Sequence, residues 1–188
     1  ALEANTTGGD NVAVGALALD ANTTGGANIG IGYGSLGSNT TANNNTAVGY
    51  DSLGANINGT QNVAFGNYVL DGNSTGSHNT GLGYNALTGN TTASNNTAVG
   101  NDALRINTTG TSNTAVGADA LDANTTGFSN VAVGKDSLGN NISAHSNVAI
   151  GNSSLKLNTT ASNNTAVGRS SLEANTTGTQ NVAVGALA

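Results

Sequence analysis

The sequence predicts an all-β fold, a parallel β-solenoid of the β-roll or β-helix kind built from eleven coils, and three observations carry that expectation. The pentapeptide Asn113-Thr114-Ala115-Val116-Gly117 returns with small variations every seventeen residues, starting at Asn11, Asn28, Asn45, Asn62, Asn79, Asn96, Asn113, Asn130, Asn147, Asn164 and Asn181. Glycine closes every copy, and no spacing departs from seventeen. Further columns of Leu and Asn keep the same register. A short fixed period without insertions marks stacked coils, each of which buries its apolar surface on the next.

Counted from the first Asn of a coil, positions 1 to 5 read as a short strand. Position 4 is always apolar, from Val14 and Ile31 through Phe65 and Leu82 to Val184, and is expected to be a core column. Position 3 is only Ala or Gly and is expected on the opposite, smooth outer face, because alternate strand residues point to opposite sides. The glycine at position 5 supplies a bend. Position 9 is Leu throughout, at Leu19, Leu36, Leu53, Leu70, Leu87, Leu104, Leu121, Leu138, Leu155 and Leu172, and forms the second expected core column.

Position 12 is Asn throughout, at Asn22, Asn39, Asn56, Asn73, Asn90, Asn107, Asn124, Asn141, Asn158 and Asn175. Thr-Thr and then Gly or Ala mostly follow it, which reads as a second short strand and a turn. Positions 6, 7, 10, 11, 16 and 17 vary freely and behave as solvent-facing corners. The Ala-Leu pieces are too short between glycines to hold a helix. No boundary interrupts residues 1 to 188, which read as one solenoid. Stacked about 4.8 Å apart, eleven coils make a rod roughly 50 Å long.

Composition narrows the function. Only 7% of residues are charged, against roughly 25% in an average globular domain, a bias that without the period would read as disorder. The formal charge of −6 disfavours nucleic acid and anionic membranes as partners. The chain has no Cys for disulfides or thiolate metal sites. It has no run of about 18 apolar residues for membrane insertion. No basic and apolar leader precedes Ala1 and Met is absent, so the segment is expected to be processed or cut from a longer chain.

Few residues suggest chemistry. Asp102, Asp119 and Asp136 share position 7 of consecutive coils, a weak candidate for a cation corner, although the repeat lacks a calcium-binding motif. Arg105 with Asp122, and Lys156 with Glu173, are expected to pair one coil apart. Tyr33, Tyr50, Tyr68 and Tyr84 form a strip that could stack on sugar rings, a weak ligand site. Sequons recur at position 12, but Asn56 persists where the sequon is lost, so stacking explains the column better than glycosylation; Asn152 remains an exposed candidate. The Thr-Thr ladders raise ice binding, yet adjacent strand residues face opposite ways and give one outward column. His78 and His145 lie almost four coils apart with no recurring nucleophile and base, so no catalytic residue, cofactor or enzyme activity is expected.

Asn147-Val148-Ala149-Ile150-Gly151 and Asn130-Val131-Ala132-Val133-Gly134 resemble the strand motif in the β-roll heads of trimeric autotransporter adhesins. The whole seventeen-residue repeat is similar to arrays in bacterial and phage tail-fibre-like surface proteins. The resemblance implies an extracellular or cell-surface rod, with a left-handed roll in the adhesin case. The leading expectation is a structural, filament-forming protein whose partner is itself, head to tail or laterally. Leu2 to Gly9 and Asn175 to Ala188 match the repeat without polar caps, which suggests stacking end to end. The alternative is an adhesin head that binds surface glycans; ice binding comes third.

Overall fold

A computed structural model describes the whole chain, Ala1–Ala188, as a β-solenoid without helices. Eleven three-residue strands, from β1 (Val12–Val14) to β11 (Val182–Val184), form one sheet in sequence order. Every neighbouring pair is parallel and offset by one repeat. In β7 (Thr114–Val116), Thr114 pairs with Val131, Ala115 with Ala132 and Val116 with Val133. After each strand the chain bends at Gly, turns through positions 6 to 11 and returns past the position 12 Asn.

The alternation expected in the strand is present, but its faces are reversed. Ala47, Ala64, Ala98, Ala115, Ala132, Ala149 and Ala166, all at position 3, are fully buried. The Val-like residue at position 4 points outward instead, and Phe65 is 54% exposed. The interior is too narrow for the larger residue. A Cβ added to Gly30 would stand 3.3 Å from Leu19 Cγ and 3.1 Å from the Ser35 carbonyl oxygen, so position 3 accommodates a methyl group at most. The Leu column does fill the core: Leu19 through Leu155 are buried completely, packed against the Ala column.

That Leu column adopts an unusual backbone. Each position 9 residue is left-handed, with φ between 48° at Leu172 and 57° at Leu87. The conformation costs an L-residue about 1 to 2 kcal/mol, whereas complete burial of a Leu side chain contributes about 1.5 to 3 kcal/mol. Burial therefore outweighs the strain, and the reversal is what swings the side chain inward. The position 5 glycines have φ of 121° to 139°, outside the range of side-chain-bearing residues. A Cβ on Gly117 would lie 2.6 Å from the Gly134 carbonyl carbon of the next coil.

The expected second strand is absent. The Asn-Thr-Thr stretch is a bend, although its backbone still bonds from coil to coil, as from Thr108 N–H to Thr125 O at 3.0 Å. Its order comes from side chains. Each position 12 Asn donates Nδ2–H to Oδ1 of the Asn one coil earlier, in an unbroken series from Asn175 back to Asn5 with lengths of 2.7 to 3.4 Å. The same Nδ2 donates to the position 15 carbonyl of its own coil, as Asn107 does to Gly110 at 2.8 Å.

The position 1 column works differently. Its Oδ1 accepts the backbone N–H of the next position 1 Asn at 2.9 to 3.1 Å. Its Nδ2 donates to the position 15 carbonyl of its own coil, so Gly127 O receives both Asn113 and Asn124. Every buried side-chain nitrogen and oxygen has a partner. Such satisfaction is what permits amides in a dry interior.

Two substitutions test this packing. Asn107→Ala leaves the buried Asn90 Oδ1 without a donor and takes one of two acceptors from the Asn124 amide, while Gly110 O keeps Asn96, and is expected to lower stability by about 1 to 3 kcal/mol in denaturant titration. Val69 stands where other coils carry Ala or Ser, and the next coil answers with Gly81, whose added Cβ would sit 2.4 Å from Val69 Cγ1. Gly81→Ala alone is expected to cost about 1 to 3 kcal/mol, and adding Val69→Ala is expected to recover much of that loss.

Candidate functional site

With the interior filled by repeating side chains, the chemistry available to other molecules lies on the surface. The most extensive feature is the outer face of the sheet. Positions 2 and 4 of every strand project there, as Thr114 and Val116 do in β7 and Val131 and Val133 in the next coil. All side chains in these two columns are β-branched apart from Phe65 and Leu82, and none is charged. The result is a flat, largely apolar strip that follows the rod for its full length.

The corner that follows the position 5 glycine borders this strip and carries the tyrosines. Tyr33 and Tyr50 stack with ring centroids 5.2 Å apart and planes within 11°. Tyr68 belongs to position 7, yet its ring lies 5.3 Å from Tyr50 and 6.1 Å from Tyr84, edge to face with both. It fills the gap that Asn67 leaves in the position 6 column. The four predicted ring residues therefore form one continuous cluster. Tyr33 and Tyr84 remain about half exposed, at 48% and 51%. Desolvation raises the Tyr68 phenol above its ordinary pKa, with further increases from its tyrosine neighbours, so this ring is uncharged at neutral pH.

The acidic corner is neutralised by the protein's own cations. Lys135 Nζ lies 2.8 Å from Asp136 and 3.7 Å from Asp119, while Arg105 Nε lies 2.8 Å from Asp122 and 3.9 Å from Asp102. The hydrogen bond from Lys135, with Lys156 nearby, holds the Asp136 carboxyl below its usual range. Asp102, Asp119 and Asp136 do not converge on a cation: no group of three or more potential ligands comes together. The Arg105–Asp122 pair forms as expected, but Lys156 turns to Asp136 at 3.6 Å rather than to Glu173. The position 7 column concentrates the carboxylates, and a lysine on the same turn reaches that column first.

Other candidates are set apart. His145 stacks on Phe128 with centroids 4.6 Å apart, on a corner remote in sequence position from His78. Asn22 through Asn158 are buried and hydrogen-bonded in the position 12 column, which removes them as glycan acceptors in the folded chain, whereas Asn152 is exposed. At position 13, Thr6, Thr23, Thr91, Thr108 and Thr125 donate their hydroxyls to the next coil's backbone, as Thr108 does to Thr125 O at 3.0 Å, and both Thr108 and Thr109 are exposed. A cavity of about 410 Å³ lies against the last coil, lined by Ser170, Leu172, Glu173, Asn175 and Leu187, where a further coil sits everywhere else along the rod.

Asp71 offers a check on the surface electrostatics. Half-buried and close to Asp51, its carboxyl binds a proton more tightly than in the unfolded chain, mainly through desolvation. A raised folded-state pKa means that ionisation of this group costs stability as pH rises through the carboxylate range. Asp71→Asn is expected to raise stability at neutral pH by under about 1 kcal/mol and to flatten the stability profile between mildly acidic and neutral pH, measured by denaturant titration. Comparison with protein-family models, curated proteins and solved structures finds no match to this chain.

Proposed function

We propose that the chain is a structural rod, the shaft of an extracellular fibre. The observation that carries this reading is the uniformity of the stack: ten in-register strand pairings, with every buried polar side chain partnered within or between coils. Residues that hold one coil to the next recur in each repeat, while residues able to act on a ligand do not. A stack of this kind extends by adding coils, because the open strand at either end presents the same backbone groups that every inner coil pairs. A further coil, of this chain or of another copy, meets those groups without new chemistry. The extracellular placement is supported by the likeness of the repeat to surface-fibre arrays and by a neutral Asn, Thr and Gly surface in place of a charged one.

Negative-stain electron microscopy of the isolated 188-residue chain tests the reading. The expected result is straight rods of roughly 50 Å and end-to-end multiples of that length that grow with concentration. Single short rods at every concentration would remove the filament, and compact particles would remove the rod itself. Glycan-array binding abolished by Tyr33→Ala and Tyr84→Ala would move the assignment to an adhesin head.

A further inference from the structure

We propose that the outer face of the sheet is a self-association surface on which two copies pair with their rods antiparallel. The proposal goes beyond the fibre reading and does not depend on it. The strip is large enough. Two columns about 10 Å wide across their side chains, running roughly 50 Å, present about 500 Å² per copy, or about 1,000 Å² for a pair before the bordering corner is counted. That meets the roughly 1,000 Å² expected of a specific but weak contact, whereas contiguous exposed apolar patches on lone proteins rarely exceed a few hundred Å².

Symmetry then selects the orientation. A closed contact of one face with itself has its two-fold axis in the plane of the face. An axis along the strands reverses the coil order and sets the tyrosine-bearing corner against the same corner of the partner. Under that arrangement one centre, the coil that begins at Asn96, relates two cation–ring pairs. Tyr33 is four coils before that centre and Arg169 four coils after it; Tyr68 is two before and Lys135 two after. Arg169 is also the one Lys or Arg without a carboxylate partner.

The same centre matches shapes. Phe65 and Leu82, the two oversized residues of the strip, meet Val133 and Val116. Tyr50 and Tyr84 meet the smaller Asn152 and Ala118. The bulky half of the rod thus faces the slim and cationic half of its partner. An axis along the rod instead sets each coil against the same coil of the partner, which brings Phe65 against Val63 and leaves the tyrosines away from both cations.

The chain has no Cys, so single cysteines report the geometry directly. Sedimentation across a concentration series is expected to show a dimer. A short bifunctional maleimide is expected to link Val99→Cys, which lies on the centre, to its own copy. Val14→Cys should not link to itself, because the partner's equivalent lies ten coils away, whereas Val48→Cys should link when mixed with Ile150→Cys, a pair that end-to-end stacking would hold five coils apart. Arg169→Glu is expected to weaken the dimer about tenfold, as is Tyr33→Lys, and the two together should restore it. These side chains are exposed, apart from Val48 and Val99, which are partly so, and unchanged circular dichroism confirms that the fold is kept. A protein that stays monomeric at every concentration overturns the proposal, as does self-linking of Val14→Cys. A monomer that shapes ice crystals through this face would assign it to ice and overturn the proposal as well. End-to-end growth keeps the Val99 residues of neighbouring copies eleven coils apart, so self-linking of Val99→Cys reports the lateral contact alone, whether or not fibres form.

Discussion

The buried amide is the interaction on which the rod depends. A side chain such as Asn124 donates to Asn107 and to Gly127, and accepts from Asn141, all without water. Each amide is therefore useful only if the next coil places another at the same height and angle. This requirement fixes the repeat length. An inserted residue would displace an Asn from its column, strand several polar groups and cost several kcal/mol at a single step. The narrow apolar core follows from the same arrangement, since two Asn columns and one Leu column leave space only for the methyl of Ala at position 3.

The surface is released from that discipline. Position 6 carries Ala, Tyr, Asn, Lys or Arg without disturbing the stack, because its side chain leaves the coil at the bend. Variation there is confined to what another molecule meets. The outer strand face is the exception: it is held uncharged and largely apolar although it is exposed, and no interior requirement explains that. Where the interior does vary, the variation is matched across coils, as at Val69 and Gly81.

Period, parallel pairing and the stacked Asn column are legible in the sequence because each leaves one residue type in a fixed place. The orientation of the strand is not. Val at position 4 reads as core by hydrophobicity, but size tolerance points the other way: position 4 accepts Val, Ile, Leu and Phe, while position 3 accepts only Ala and Gly. Tight limits on volume mark a close-packed interior better than apolarity does. The left-handed Leu column gives no signal, since that conformation normally selects Gly or Asn and here is held by burial. The Tyr cluster is half legible: three rings share a column, and only the fold brings Tyr68 across to join them. The partner of Lys156 escapes the sequence because spacing along a column does not reveal a nearer carboxylate on the adjoining one.

The hydrogen bonds between coils run along the axis of the rod. Tension applied across whole end coils is shared by every bond of an interface at once. Tension applied to the chain ends acts on one coil, which peels away before its neighbour is disturbed. Each such event frees seventeen residues, roughly 60 Å of slack at about 3.4 Å per residue. The molecule is thus stiff when gripped as a rod and gives way in equal steps when pulled as a thread.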